Sequence, residues 1–454
     1  MRKIFLFFFF YFSFFITNYS LSQSGWYQLN TGSTRNFSDV YFVNENTGWC
    51  VGDSAVVIKT TNGGLNWAIT TAYNNQKLVL NFVRFADSFT GYAAGTIYDV
   101  NSYYHYRKLF LKTTNQGQDW LLLESVPSDY NTYYSSISLF NRDTLFLSTF
   151  NQYDSGPSYG EMRKSLNGGI NFVNVSNLTF GGLTSLSFIN YNTGWASAYC
   201  ANDVYPYYWD FIYKTTNSGT NWILQYKDSV SASLIDKIQF IDQNTGFGIS
   251  EYNTSSGNAK FFKTTNGGLN WSVTFTPNSI TYGSLYFINA STGWICGYWS
   301  NVDSTTIART TDGGQTFQKQ RKTAISEYIS SVYFVNSLTG YAVGGTKIYK
   351  TTNGGVTAIS KIQEEIPCSY KLFQNYPNPF NPATNIRYQI QKSSFVNLRV
   401  YDLLGREVAT LANEKLNAGE YEAAFDGSNL PSGVYFYKLT TGDFTEIKKM
   451  LLIK

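Results

Sequence analysis

The sequence is poor in the residues on which much metal and nucleophile chemistry depends. His105 is the only histidine among 454 residues, and the four cysteines, at positions 50, 200, 296 and 368, form no CxxC pair. Zinc sites and Cys–His nucleophiles need suitably spaced His and Cys ligands, so both are excluded, and we expect no metal or cofactor. Cys50 and Cys296 fit buried positions in strands, while a disulfide stays open for an exported chain.

Charged residues and proline are also scarce. Charged side chains make up 14% of the chain, the net charge is +4, and no basic run follows the first 22 residues. This pattern argues against nucleic acid or an anionic membrane surface as a partner. By contrast, the chain has 37 glycines and an aromatic content of 18%. Abundant Tyr, Phe, Trp and Thr with Asn-Gly and Gly-Gly turns predict an all-β chain.

The N-terminus has the pattern of a secretion signal. Two basic residues precede an apolar run over residues 4–16, which is too short to cross a bilayer comfortably. Ser20 and Ser22 are small residues that suit a signal peptidase site. We therefore expect a signal peptide over residues 1–22, with an uncleaved anchor as the alternative.

One phrase recurs along most of the chain. KTTNGGLNW stands at residues 59–67 and again, unchanged, at residues 263–271. Looser copies begin at residues 112, 164, 214, 309 and 350, which makes seven copies at spacings of 41 to 53 residues. A repeat of this length is the signature of a repeated structural unit rather than of one active site.

A second phrase precedes each copy of the first. It reads VYFVNENTGWCVG at residues 40–52 and returns six times, although the third copy has Leu145 where the others have a turn glycine. Each unit therefore contains four short strands, which is the pattern of a β-propeller blade, with a β-solenoid as the alternative. The seven copies of the two phrases therefore predict a seven-bladed β-propeller over residues 23–357.

The two ends of the repeat array fit together. The seventh unit stops at Thr357, before its aromatic residue and fourth strand, while an orphan strand near residues 25–30 carries Trp26 in the place of Trp67. We expect this N-terminal strand to complete the last blade, because closing the ring removes an exposed sheet edge.

The repeated phrase resembles the BNR or Asp-box motif. Thr310, Asp312, Gly314, Thr316 and Phe317 match that motif most fully. Together with the TGW or TGY phrase, the repeat is similar to propellers of the photosystem II stability/assembly factor type. The resemblance implies an Asp-box propeller over roughly residues 24–357.

The same polar turn is expected in every blade. An Asn or Asp side chain can bond the backbone beyond it, and glycine supplies the positive φ that such turns require. Identical turns in all blades favour a structural role over a binding role, because an asymmetric ligand needs unlike residues in one place. The predicted structural turn residues are Asn62, Asn115, Asn167, Asn217, Asn266, Asp312 and Asn353.

Recognition is expected on the opposite face, where the longer B–C and D–A connections of the blades converge. These segments are rich in Tyr, Trp, Asn and Asp, which suit stacking on sugar rings or gripping a peptide. The alternative is that these aromatic residues only pack the loops together. The candidate ligand-binding residues are Tyr103, Tyr104, Tyr106, Tyr133, Tyr134, Tyr205, Tyr207, Tyr208, Trp209 and Asp210.

Catalysis is the weaker hypothesis. Asp-box propellers include sialidases and glycosidases, but the arginine triad that a sialidase resemblance would require is not evident. A glycosidase needs two opposed carboxylates. Glu161, Asp203 and Asp210 lie on suitable segments, yet their spacing does not show that they meet.

The C-terminal part differs from the repeats. Residues 358–369 contain neither phrase and are interpreted as a linker, and alternating strands over residues 370–454 predict a small immunoglobulin-like β-sandwich. YPNPFNP, VYDLLGREV, LPSGVYFYKL and the terminal KKMLLIK resemble the C-terminal sorting domain of the type IX (Por) secretion system. The resemblance implies passage through that machinery, with Lys448, Lys449 and Lys454 in the sorting signal.

The sequence thus predicts a monomeric, secreted or cell-surface recognition protein of a Bacteroidetes-like bacterium. Its propeller is expected to bind a glycan or a protein, and the sorting resemblance implies release or attachment to surface lipopolysaccharide. The alternatives are a glycoside hydrolase on the same face and an assembly factor for an envelope protein complex.

Overall fold

The computed structural model describes residues 25–98, 106–127, 131–152, 160–175, 181–201, 208–228, 234–250, 259–275, 280–299, 305–322, 328–355, 359–363, 367–427 and 430–453. These ranges contain strands β1 to β36 and one turn of 3-10 helix, Asp53–Ala55. The strands form antiparallel four-stranded sheets, seven in the repeat region and two in the C-terminal part. The predicted all-β class is confirmed.

Six of the repeat sheets are built from four consecutive strands, here called A to D from the channel outwards. The first blade contains β2 (Phe37–Phe42), β3 (Gly48–Gly52), β4 (Val56–Thr60) and β5 (Ala68–Thr71). The second contains β6 (Leu78–Phe85), β7 (Gly91–Tyr98), β8 (Tyr106–Thr113) and β9 (Leu121–Pro127). The third contains β10 (Asn131–Leu139), β11 (Leu145–Gln152), β12 (Met162–Ser165) and β13 (Val173–Asn174). The fourth blade contains β14 (Gly182–Phe188), β15 (Gly194–Ala201), β16 (Tyr208–Thr215) and β17 (Ile223–Asp228). The fifth contains β18 (Ile235–Phe240), β19 (Gly246–Ser250), β20 (Lys260–Thr264) and β21 (Ser272–Phe275). The sixth contains β22 (Ile280–Phe287), β23 (Gly293–Trp299), β24 (Thr305–Thr310) and β25 (Gln318–Lys322).

The seventh blade joins the two ends of the array. Its strands are β26 (Ser331–Phe334), β27 (Gly340–Gly344), β28 (Lys347–Gly355) and the N-terminal β1 (Gly25–Leu29). Tyr27 pairs with Lys350 across β1 and β28. Trp26 is 2% exposed, and its Nε1 donates a hydrogen bond of 3.0 Å to Oε1 of Gln320 in the sixth blade. The chain therefore closes its ring with its own N-terminal strand.

Apolar side chains fill the spaces between neighbouring blades. Trp49 of the first blade stacks on Phe85 of the second with ring centroids 3.5 Å apart, and Trp195 stacks on Phe240 in the same way. Both tryptophans are fully buried. The alternating VYFV-type run thus gives each A strand a core side and a channel side, as a period of two requires.

The glycine of the TGW phrase makes room for an aromatic ring. A Cβ atom at Gly48 would lie 2.4 Å from the ring of Phe42, which is its partner across β2 and β3. In the third blade, Leu145 occupies the glycine position and pairs with Leu139 instead of a phenylalanine. The smaller Leu139 leaves space for the larger Leu145, which explains why this copy tolerates the loss of glycine.

The C-terminal part consists of two sheets that share one core. One sheet contains β29 (Ile359–Gln363), β30 (Lys371–Leu372), β31 (Ala383–Ile390) and β34 (Gly419–Asp426), and the other contains β32 (Ser394–Tyr401), β33 (Glu407–Leu416), β35 (Gly433–Thr441) and β36 (Phe444–Leu452). Buried side chains of both sheets, among them Tyr388 and Leu398, belong to a single cluster. The two sheets therefore form a sandwich.

The segment interpreted as a linker contains a strand. Ile359–Gln363 pairs antiparallel with β34, with Ile359 opposite Ala423. By this pairing the segment covers an otherwise open edge of the sheet. Residues 359–363 thus form the outermost strand of one sheet of the C-terminal part.

No described segment forms a helix with the length and apolar character of a membrane span.

Candidate functional site

The Asp-box turns have the same hydrogen bonds in the first six blades. In the first blade, Oγ1 of Thr60 accepts the backbone N–H of Gly64 at 2.8 Å. Oδ1 of Asn62 accepts the N–H of Asn66 at 2.9 Å, and Gly63 has a φ of +66°. Asp312 accepts the N–H of Thr316 at 2.9 Å in the sixth blade. These polar side chains are occupied by their own turns.

The turns also fix the two faces of the propeller. The C–D turn bonds the A–B turn of the same blade through Gly63 N–H to the carbonyl of Asn46 at 2.9 Å. Equivalent bonds join Gly168 to Asp143 and Gly267 to Asn244, both at 2.8 Å. We call the side with these turns the turn face. Because neighbouring strands are antiparallel, the B–C and D–A connections lie on the opposite side, the connection face.

The described candidate binding residues lie on strands that begin or end at this second face. Tyr103, Tyr104, Tyr205 and Tyr207 lie outside the described residues. Tyr106 and Tyr208 are the first residues of β8 and β16, where the C strands leave the connection face. The remaining four are described with their side chains: Tyr133, Tyr134, Trp209 and Asp210.

Two of these four lie near the propeller axis. Tyr133 is half-buried, stacks on Phe150 with centroids 5.3 Å apart, and lines the central cavity. Tyr134 is fully buried, and Nζ of Lys108 lies 5.4 Å from its ring centroid. Tyr133 is therefore the better placed of the two for contact with a ligand.

The other two lie on the C strand of the fourth blade. Trp209 is half-buried, with Nζ of Lys227 at 4.2 Å from its ring centroid. Asp210 is 1% exposed, and its Oδ1 accepts the N–H of Ile235 at 3.3 Å. The Asp210 carboxylate thus holds the start of the next A strand and is buried rather than open to a substrate.

The channel between the A strands opens into a cavity of about 310 Å3 near the connection face. All seven blades contribute to its lining. Most of the lining is hydroxyl-bearing or amide, and four of the lining residues are charged. These four are Asp39, Arg84, Asp236 and Lys237. The cavity is the place where unlike residues of different blades meet.

Asp39 and Arg84 form an ion pair in the cavity wall. The Asp39 carboxylate also accepts hydrogen bonds from Oγ of Ser331 at 2.8 Å and from the N–H of Val83 at 3.1 Å. Burial alone would lower the pKa of Arg84, but the charge and hydrogen bond of Asp39 raise it overall. The Asp39 carboxylate thus already has protein partners, and these contacts link blades one, two and seven.

Lys237 projects into the same cavity from the fifth blade. Its side chain is half-buried, and it has no hydrogen bond or ion pair within the described residues. Burial lowers the pKa of its ammonium, and the positive charge of Arg84 lowers it further. Asp39 and Asp236 act in the opposite direction. Lys237 is therefore a cation for which the described protein supplies no direct partner.

Three tyrosines follow deeper in the channel. The ring centroid of Tyr333 lies 5.1 Å from that of Tyr41 and 5.0 Å from that of Tyr286. Oη of Tyr41 donates to the carbonyl of Phe85 at 3.1 Å, and Oη of Tyr333 donates to the carbonyl of Phe42 at 2.8 Å. Burial raises the pKa of all three phenols. They remain neutral and connect neighbouring blades below the cavity.

The two cavity cations, Arg84 and Lys237, belong to no motif that the sequence shows. Arg84 occupies the channel position that is Tyr41, Tyr286 or Tyr333 in other copies of the VYFV-type phrase. Lys237 occupies the preceding channel position, which is aspartate or serine in most other copies. Comparing the seven copies position by position would have shown both residues as outliers. No group of His, Cys, Asp and Glu in the described part could hold a metal ion.

Two family models match separate parts of the chain. The model of the secretion system C-terminal sorting domain matches residues 374–454. The model of the photosynthesis system II assembly factor YCF48 matches residues 18–129. The two resemblances seen in the sequence are thus confirmed, and the sorting domain marks the chain for export by type IX secretion. No curated protein matched the chain.

Solved structures confirm the propeller fold. A structure of YCF48 bound to a D1 peptide matches with a TM-score of 0.54 and 17% identity, covering 73% of this chain and 98% of that one. YCF48 from Cyanidioschyzon merolae matches with a TM-score of 0.52 and 16% identity, covering 72% and 98%. A GH74 xyloglucanase from Xanthomonas campestris matches with a TM-score of 0.51 and 11% identity, covering 87% and 63%. At these identities the likeness concerns the fold alone.

Proposed function

We propose that this protein is a secreted or cell-surface recognition module that binds a glycan or a protein through the connection face of its propeller. The observation that carries the proposal is the contrast between the two faces. On the turn face, one hairpin is repeated, and its polar side chains bond their own turn. The connection face has a cavity lined by all seven blades, with Tyr133 in its wall and Lys237 without a partner among the described residues. Binding sites are concave and combine aromatic walls with a few placed polar groups.

The sorting domain supplies the route to the surface. We infer that the type IX machinery carries the folded chain across the outer membrane and that the domain is then removed. The propeller is either released or linked to surface lipopolysaccharide. A monomer is expected, because the seventh blade closes the ring within one chain.

The test is a binding screen of the mature propeller against glycan and peptide arrays. Tyr133→Ala and Trp209→Ala should each weaken binding of a hit by about tenfold or more, as expected for a buried aromatic anchor. Leu65→Ala is the matched control, since Leu65 is 77% exposed on the turn face. If Leu65→Ala weakens binding while both connection-face variants retain it, the proposed face is wrong.

Sugar release measured in the same samples separates recognition from glycoside hydrolysis. Asp210→Asn should leave binding unchanged, because an amide oxygen can still accept the N–H of Ile235. A recognition module releases no reducing ends in either form. Turnover that a single carboxylate substitution abolishes would contradict the proposal and favour the hydrolase alternative.

A partner protein is the other expected kind of ligand. The YCF48 structure that shares this fold holds a D1 peptide, so a peptide is a ligand class to test on the connection face. Copurification of envelope proteins with the full chain would favour an assembly role. Their loss with Tyr133→Ala would locate that role on the connection face.

A further inference from the structure

The central cavity has the size and the placement of a ligand site. Its volume of about 310 Å3 lies at the lower end of the range of about 300–1,000 Å3 for small-molecule pockets. It lies on the propeller axis and is lined by strands rather than by the longer connections. Residues on rigid strands hold a ligand more precisely than residues on loops.

The charged side chains in the cavity differ in the number of hydrogen-bond and ion-pair partners that the protein gives them. Asp39 accepts hydrogen bonds from Arg84, Ser331 and the backbone of Val83. Lys237, on the other side of the channel, has neither a hydrogen bond nor an ion pair within the described residues. A half-buried ammonium without a partner is unfavourable, and an anion beside it would offset that penalty. The geometry therefore favours a ligand with a negative group.

The remaining lining favours a ligand with hydroxyl groups. The side chains of Ser38, Asn81 and Ser284 make no hydrogen bond within the described part of the chain and face the cavity. Asp236 adds a carboxylate that can accept from a hydroxyl donor. Tyr133 supplies the apolar surface on which a sugar ring can lie. Simple carboxylates would use the cation but not these groups.

We propose that the central cavity binds a sugar acid, whose carboxylate contacts Lys237 and whose hydroxyl groups contact Ser38, Asn81, Ser284 and Asp236. The inference rests on the proposed recognition function and names the ligand chemistry of the same face. A free uronate and the acidic unit of a polysaccharide present the same chemistry to the site.

Calorimetric titration of the mature protein with uronates tests the proposal. D-glucuronate, D-galacturonate and D-mannuronate are each compared with the neutral parent hexose. At least one uronate should bind about tenfold or more tightly than its hexose, because a charge-assisted contact is the stronger kind. A trigalacturonate arm distinguishes the sources: binding of the trimer indicates a polysaccharide unit, and binding of monomers alone indicates the free acid. Equal affinity for uronate and hexose would refute the site.

Variants of Lys237 test whether this residue is responsible for uronate binding. Lys237→Met should lose about tenfold or more in uronate affinity, and Lys237→Arg should retain most of it. Lys77→Met is the control, because Lys77 is an exposed cation on a connection of the same face but outside the cavity. Thermal unfolding verifies that each variant folds. Unchanged uronate affinity in folded Lys237→Met would overturn the proposal.

Three further outcomes separate this inference from the proposed function. If no uronate binds but an array ligand depends on Trp209, the sugar-acid site is wrong and recognition by the connection face stands. If an alanine tripeptide binds more tightly than every uronate and requires Lys237, the ligand class is wrong. If neither the arrays nor the uronates give binding, both proposals fail.

Discussion

At the residue scale, the hydroxyl that begins each Asp-box turn is the most constant contact of the repeat. Oγ1 of Thr60, Thr113 and Thr264 accepts the N–H of the glycine four residues later at 2.8–2.9 Å. Ser165 makes the same bond at 2.8 Å in the third blade. The substitution of serine at one copy shows that the oxygen, not the methyl group, is required. The repeated phrase is therefore conserved within the chain because each turn needs this acceptor.

Replacing Thr60 with valine should destabilise the first blade. Thr60→Val keeps the shape but leaves the buried N–H of Gly64 without its acceptor, which costs about 1–3 kcal/mol. Thr60→Ser should cost much less, as Ser165 already fills this role. Chemical denaturation of both variants measures the difference in the free energy of unfolding. A loss in Thr60→Ser as large as that in Thr60→Val would show that the methyl group contributes as much as the hydroxyl.

Asp312 is the one acidic residue at the asparagine position of the seven turns, so the stability of its turn should depend on pH. Hydrogen bonds from Thr316, first from its hydroxyl and then from its backbone N–H, lower the pKa of Asp312 to about 2. A depressed carboxyl pKa adds stability above its ordinary value of 3.8, and that stability is lost as the pH falls through about 2. Asp312→Asn should keep the turn and remove this acid dependence. A carboxyl titration followed by NMR measures the pKa, and a value near 3.8 would contradict the turn geometry.

At the element scale, several blades hold a turn of the next blade by hydrogen bonds. Nε1 of Trp195 donates to the carbonyl of Gly267 at 3.0 Å, and Nε1 of Trp294 donates to that of Gly354 at 3.0 Å. The ring is closed by Lys350, whose Nζ donates to the carbonyl of Gly63 at 2.7 Å. The TGW and KTTNGG phrases are thus two halves of one contact between neighbouring blades. This explains why they alternate strictly along the sequence.

The closing strand should matter more than an ordinary outer strand. Trp26 is 2% exposed and bonds Gln320 of the neighbouring blade, whereas Trp67 in the first blade is only half-buried. Trp26→Ala should therefore cost about 3–5 kcal/mol, near the upper range for buried aromatic truncation. Trp67→Ala is the matched control and should cost less. Denaturation with urea compares the two, and a smaller loss for Trp26→Ala would mean that β1 does not hold the ring together.

The elements were predictable where the pattern was local and repeated. Seven copies of two phrases indicate seven blades, because strand alternation and turn glycines are read directly from sequence. The strand Ile359–Gln363 has no signal of its own in the sequence, because its partner, β34, lies about sixty residues later in the chain. The pairing of Arg84 with Asp39 and the convergence of Lys237 on the same cavity depend on the curvature of the ring. No single copy of the repeat contains that information.

At the scale of the whole molecule, the lysines predicted to act in sorting, Lys448 and Lys449, lie in a strand of a folded sheet. Met450 and Leu452 are 0% and 1% exposed in the core of the sandwich, and the strand that carries them also carries Lys448 and Lys449. Deleting residues 448–454 would therefore remove core side chains together with the basic residues. Such a deletion could stop export by unfolding the domain rather than by removing a signal.

Charge-only variants distinguish these two effects. Lys448→Gln with Lys449→Gln leaves Met450 and Leu452 in place and should keep the sheet, because both lysines lie outside the core. If the basic residues are recognised, the variant folds but accumulates in the periplasm. Met450→Ala is the comparison for loss of core packing. Cell fractionation with a thermal unfolding curve of each purified variant gives the answer, and normal surface delivery of the charge variant would exclude a role for these lysines in sorting.

The channel couples stability of the ring to pH through Lys237. The groups that face this ammonium are Arg84, Asp39, Asp236 and Cys296, and burial and Arg84 together lower its pKa from the ordinary value of 10.5. A lysine whose pKa is lowered by folding penalises the folded state while it is charged. The penalty is full below the folded pKa and disappears as the pH rises to 10.5, because the unfolded chain then binds the extra proton. The wild-type protein should therefore gain stability relative to Lys237→Met between neutral pH and pH 10, as measured by urea denaturation at several pH values. Saturating uronate should remove most of that difference at neutral pH, and a pH-independent difference would show that Lys237 already has a compensating anion in the folded chain.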